Sequence, residues 1–139
     1  MYKFNFTDYL TEDEKMIRIE VFVNEQKFNE EFDSQDNHSF HLVMYDNEIP
    51  IACCRFFKSE NEGEFYIGRM AVRKPYRGKN IGAKMMQEAE KSAKEMGAVK
   101  LALSAQVRAS GFYEKLGFKK MGEIYLDEHC EHIHMEKLL

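Results

Sequence analysis

The 139-residue chain has no tryptophan, two prolines, eight glycines and three cysteines. Such scarcity of proline and glycine excludes collagen-like, low-complexity and disordered chains. The cysteines, adjacent Cys53 and Cys54 plus distant Cys130, form neither a disulfide ladder nor a CxxC pair, which fits a reducing compartment and a packing role. No apolar run approaches a bilayer span, and Met1-Tyr2-Lys3-Phe4-Asn5-Phe6 lacks the cationic and apolar regions of a signal peptide. The expected location is the cytoplasm, with no membrane partner. Positive charge is not in excess either: 20 Lys plus Arg face 24 Asp plus Glu, for a net −4. That sign removes the basic field that non-specific nucleic-acid binding needs and suits a cationic small molecule better. With 44% hydrophobic residues, a chain of this size can bury roughly two thirds of its unfolded surface as one domain, residues 1–139.

Alternation in Tyr2 to Phe6 predicts a strand, and Thr11-Glu12-Asp13-Glu14 has the form of a capping box that starts a helix closing at Asn24-Glu25-Gln26. Asn29 to Asn37 is acidic and aperiodic and is expected to be a loop. Phe40 to Tyr45 and Ile51 to Phe57 read as an antiparallel hairpin, followed by a strand from Glu64 to Val72. Ile81, Met85, Ala89, Ala93 and Met96 recur at helical spacing up to Gly97. A strand at Val99 to Ser104, a short helix at Ala109 to Leu116 and strands at Lys119 to Leu126 and Glu131 to Lys137 complete the order β-α-β-β-β-α-β-α-β-β. That order favours an α/β sheet with helices on its faces.

The sharpest motif is Arg77-Gly78-Lys79-Asn80-Ile81-Gly82, placed between a strand and a helix start. Free amides, the helix dipole and two cations converge there on a site suited to a pyrophosphate. The motif resembles the acetyl-coenzyme A loop Q/R-x-x-G-x-G/A of the GCN5-related N-acetyltransferase (GNAT) family, with Arg77, Asn80 and Gly82 at the motif positions. Asn80 replaces the usual glycine, and Asn is the residue that next most readily takes a left-handed backbone. Gly68-Arg69-Met70-Ala71-Val72 matches the family's bulged central strand, and Ser104-Ala105-Gln106 with Ala109-Ser110-Gly111-Phe112-Tyr113-Glu114-Lys115-Leu116-Gly117-Phe118 matches its second motif at the right separation. The segment Arg18 to Gln26, followed by Asp33, Asp36 and His38, with the ending Gly122-Glu123 through Met135, is similar to the ElaA/YjcF-like branch. The acidic pattern also resembles acyl-homoserine-lactone synthases.

The resemblance implies a mixed, mostly antiparallel central sheet with helices on both faces and splayed central strands. It implies direct acetyl transfer from acetyl-coenzyme A to a primary amine of a small molecule or protein, with no metal. The expected cosubstrate contacts are Met70, Ala71, Val72, Arg77, Gly78, Lys79, Asn80, Ile81, Gly82, Gln106 and Tyr113. Tyr113 is the candidate acid for the departing thiolate. Glu25 and His132 are candidates on the acceptor side, where Glu25 and the Asp33 to Asp36 loop are expected to border an acidic cleft for a cationic amine. His132, His134 and Cys130 lack a fourth ligand at a zinc spacing, so no metal is expected. A non-catalytic acyl-coenzyme A sensor and a lactone-type synthase are the competing expectations, and the oligomeric state is open.

Overall fold

A computed structural model describes every residue except Glu30. Its elements are β1 (Tyr2–Thr7), α1 (Glu12–Arg18), β2 (Phe40–Asp46), β3 (Ile49–Lys58), β4 (Glu64–Val72), α2 (Ile81–Glu95), β5 (Lys100–Gln106), α3 (Ser110–Lys115), β6 (Lys119–Asp127) and β7 (Cys130–Leu138). The seven strands form one open sheet in the order β1-β2-β3-β4-β5-β7-β6. Every neighbouring pair is antiparallel except β4 with β5.

Two apolar layers hold helices against opposite sheet faces, because residues alternate in direction along each strand. Ile17, Val21, Phe22 and Phe28 pack with Val43, Cys53 and Ala71 on one face. Ile81, Met85, Met86, Ala89 and Ala93 of α2 pack with Leu42, Cys54, Phe56, Leu101 and Met135 on the other. Adjacent Cys53 and Cys54 therefore enter different layers, both fully buried, and burial pushes both thiols up. β1 is more open than its alternation suggests, since it is an edge strand with Phe4 and Phe6 exposed.

Local chemistry sets the boundaries. The Thr11 hydroxyl accepts from the Glu14 amide at 3.2 Å, the first half of the expected capping box. Beyond Arg18 the helix widens into a π-helical segment, Ile19–Glu25. The acidic stretch contains a 3-10 turn, Ser34–His38, boxed by Asp33 and Asp36; the Glu30 part of that expectation lies outside the described residues. Among the described residues, no helix is long and apolar enough to cross a membrane.

Two irregularities open the middle of the sheet. Cys53 pairs with Ala71 but Arg55 pairs with Gly68, so β4 carries one extra residue, and Arg69 takes a positive φ of 52°. This is a β-bulge. β4 and β5 pair only at Glu64–Lys100, Phe65–Leu101 and Tyr66–Ala102, after which no further pairs join them.

Candidate active site

A cleft of about 1010 Å³ fills the opening between β4 and β5, lined by Gly68, Arg69 and Met70 of the bulge, by Ser104 and Gln106 of β5, and by Glu25, Arg77, Tyr113 and His132 from elsewhere in the chain. Four segments distant in sequence thus meet where two neighbouring strands stop pairing. A cleft between parallel strands at their C-terminal ends is the usual binding place in α/β sheets.

The loop after β4 supplies a cradle at one end. Asn80 takes φ 65° in the left-handed region and its side chain does not cap the helix. The amides of Ile81, Gly82 and Ala83 precede the first intrahelical bond, Lys84 N–H to Asn80 C=O at 3.2 Å. Gly82 is needed for packing as well: a Cβ there would lie 3.1 Å from Phe112 and 3.6 Å from Met70. Arg77 is already engaged. Its Nε donates to the Val72 carbonyl at 2.9 Å, and its Nη1 and Nη2 grip the Glu25 carboxylate at 2.5 and 2.7 Å. That two-point bond holds the Glu25 carboxyl below its ordinary value. Glu25 therefore stands beside the turn that opens α2 and is a weaker proton acceptor than an unpaired glutamate. Met70 lines the cleft, Ala71 is buried in the α1 layer, and Gln106 bridges Gln26 and Arg108, at 2.8 Å each.

Tyr113 reaches the cleft from α3, half-buried, its ring edge-on to Phe112 and Phe118. Burial, with a smaller effect of Cys54, pushes its phenol up, so the hydroxyl keeps its proton at neutral pH. His132 is buried, with Nδ1 3.0 Å from the Cys130 carbonyl and its ring stacked on Tyr125. His134 points elsewhere, to Tyr66 and Glu136 at 2.9 and 2.8 Å. The Cys130, His132 and His134 side chains therefore do not assemble a ligand set.

The loop carboxylates do not form an open acidic cleft. Arg18, fully buried, donates to Glu14 at 2.7 Å, to Glu31 at 2.6 Å and to Asp36 at 2.8 Å. Arg55 donates to both Asp33 oxygens, at 2.6 and 3.1 Å, and to Asp36 at 2.9 Å, while Arg69 meets Glu31 and Asp33 at 3.1 and 3.3 Å. His41 Nδ1 faces Glu14 at 2.9 Å and Nε2 faces the Asp36 carbonyl at 3.0 Å, so both nitrogens meet acceptors. Burial lowers the His41 pKa, but the Glu14 hydrogen bond and charge outweigh it and the net direction is upward. Burial likewise opposes ionisation of Asp36, yet the bonds from Arg18 and Arg55 bring it down to about 2. Four carboxyl groups thus meet three guanidiniums and the His41 ring, so the negative field expected from this loop is largely offset. The participating histidine is His41; His38 is exposed. Glu14, Asp36 and His41 bring one possible ligand atom each within 4.8 Å of one another, but the Arg18 guanidinium already holds both carboxylates.

Sequence reasoning missed Tyr66, Arg18 and Arg55. Each has an ordinary sequence context, and only the tertiary structure shows what it faces. Arg55 is distinctive in that its buried Nε has no hydrogen-bond partner among the described residues and lies 3.8 Å from where a Gly68 Cβ would stand.

A family model described as Acetyltransferase (GNAT) domain matches residues 8–139. The chain belongs to the GNAT acetyltransferase family. Its nearer likenesses place it in the ElaA/YjcF-like branch. It is 36% identical over 124 residues to the Uncharacterized N-acetyltransferase YjcF of Bacillus subtilis (strain 168), covering 87% of each chain. Escherichia coli ElaA superposes with a TM-score of 0.88 at 25% identity over 99% of both chains. An Acyl-CoA N-acyltransferase from Pseudomonas aeruginosa superposes with a TM-score of 0.87 at 26% identity, also over 99% of both.

Proposed function

We propose that the protein transfers an acetyl group from acetyl-coenzyme A directly to a primary amine. The observation that carries this reading is the cleft where β4 and β5 part, with the cationic turn Arg77 to Gly82 at the helix start and a neutral, half-buried phenol, Tyr113, on its wall. An elongated thioester with a pyrophosphate fits that donor set, and when bound it supplies the activated acyl group.

Arg77, Lys79 and the amides of Ile81 and Gly82 hold the pyrophosphate, with Gly78 and Asn80 shaping the turn. The Met70 side chain lines the arm beside the backbone of Ala71 and Val72, and the bulge frees backbone donors for the oxygen that gains negative charge as the amine attacks. Tyr113 gives its proton to the departing sulfur. Gln106, tied to Gln26, fixes the gap between β5 and the π-helical segment. His132 lines the acceptor half. A small acceptor need not be strongly cationic, because the loop carboxylates already meet arginines. No cysteine intermediate is needed, since Cys53 and Cys54 are buried with raised pKa values.

The test is calorimetric titration with acetyl-coenzyme A together with an amine-library screen that follows thiol release. Binding that weakens with salt plus amine-dependent thiol release is expected. Binding without release for any amine would favour a sensor, and no binding would overturn the cleft assignment.

A further inference from the structure

Tyr66, His134 and Glu136 form a hydrogen-bonded chain that neither Tyr113 nor the cradle uses. Tyr66 lines the same cleft as Gly68 and Met70, with its ring stacked on Phe57 at 5.9 Å. It lies on the last β4–β5 pair, where the strands begin to separate. Its hydroxyl is 2.9 Å from His134 Nδ1, and His134 Nε2 is 2.8 Å from Glu136 Oε2. A carboxylate only accepts, so Glu136 fixes the imidazole proton on Nε2 and leaves Nδ1 to accept from the phenol. Each donor then points away from the cleft, and the oxygen of Tyr66 keeps lone pairs for a proton arriving from it.

We infer that Tyr66, His134 and Glu136 form a proton relay that deprotonates the acceptor ammonium and carries its proton to solvent. This rests on the transfer reading above. The ammonium proton passes to Tyr66 Oη as the Tyr66 proton passes to His134 Nδ1, so the phenol is whole again and the imidazole becomes an imidazolium held by Glu136. The neutral amine then attacks the thioester carbonyl and the C–S bond breaks. The second nitrogen-bound proton restores the one that Tyr113 gives to the departing thiolate, so one proton per turnover exits through His134. The exit is open: the His134 and Glu136 side chains are 30% and 24% exposed.

Lys100 on β5 bridges Glu136 at 3.3 Å and Glu64 on β4 at 3.0 Å. Tyr125 of β6 is close enough to influence the Tyr66 phenol, and no like-charged cation among the groups named here bonds directly to the imidazole. Burial is the largest cause of the upward shift at Tyr66, which makes it a neutral conduit rather than a phenolate base. Tyr66 is the catalytic residue of the chain; His134 and Glu136 act through it as positioning residues.

Benzylamine, an ammonium at neutral pH, and aniline, already neutral, are the probe acceptors, with wild type, Tyr66→Phe, His134→Gln and His132→Gln compared across pH. Tyr66→Phe keeps the Phe57 stack, so the fold is expected to survive, checked by urea unfolding. The expected result is a kcat loss of about 10²-fold on benzylamine, at least about tenfold greater than on aniline, with the acidic limb of the pH profile altered by His134→Gln. Equal losses on both amines, or an acidic limb that moves with His132→Gln alone, would overturn the relay. Nitrogen chemical shifts of the His134 ring, which need no substrate, are expected to show the proton on Nε2 at neutral pH. A proton on Nδ1 would overturn the relay even if both amines are acetylated. If neither amine is acetylated while that shift pattern holds, the amine-library screen decides the transfer reading, and the amine it yields replaces benzylamine in the same comparison.

Discussion

Glu25 and Arg77 lie 52 positions apart yet bond at two points beside the proposed pyrophosphate site. A pyrophosphate would compete with the Glu25 carboxylate for the same guanidinium. Replacing Glu25 by Gln frees Arg77, and acetyl-coenzyme A should then bind severalfold more tightly at low salt, with the gain shrinking as salt rises. Calorimetry at two ionic strengths reads this directly, and weaker binding would detach Arg77 from the phosphate. Tyr113→Phe tests the opposite wall. Its ring contacts with Phe112 and Phe118 remain, so acetyl-coenzyme A affinity should hold while turnover falls about 10²-fold. A Gly82 variant is a poorer probe than it looks, because Phe112 occupies the space a side chain would take.

At the scale of the element, the start of α2 depends on one backbone angle. Asn80 at φ 65° tolerates the left-handed region, whereas a residue without a short polar side chain loses roughly 1–2 kcal/mol there. Asn80→Ala should lower the unfolding free energy read from urea titration by an amount in that range, and Asn80→Gly should leave it nearly unchanged. Equal effects would mean that the turn adjusts its backbone to the new residue. The bulge in β4 works similarly: one extra residue turns Arg69 out to Glu31 and Asp33 and places Met70 in the cleft.

For the molecule as a whole, the buried network around Arg18 fastens α1 and the acidic loop to β2 and β3. Arg18→Met would strand Glu14, Glu31 and Asp36 without their shared partner, at a cost of about 3–5 kcal/mol in urea unfolding. The network also sets an acid limit. Asp36 titrates lower in the folded chain, at about 2, than its ordinary 3.8. Its contribution, roughly 2 kcal/mol, is therefore present above the ordinary value and lost as pH falls toward 2. His41 runs the other way: its raised folded value gives stability below the ordinary histidine range, lost as pH rises through the folded pKa. Urea midpoints followed from acid to neutral pH should fall steeply at the acid end for wild type and less steeply for Asp36→Asn. Parallel curves would show that other carboxylates dominate the acid limit.

The sequence by itself determined the element order, the family and the turn that opens α2. Strand alternation, the spacing of Ile81, Met85, Ala89 and Ala93, and the loop Arg77 to Gly82 are local patterns, and local patterns are written in consecutive residues. The left-handed Asn80 was legible for the same reason. Partnership across the sheet was not. The Glu25 to Arg77 bond, the pairing of Glu31, Asp33 and Asp36 with three arginines, and the chain from Tyr66 to Glu136 depend on contacts between segments remote in sequence. A charged residue reads alike whether it meets water or a buried guanidinium. The packing of β4 against β3 and β5 against β7 decided which it met, because a shift of one residue turns each side chain to the other face.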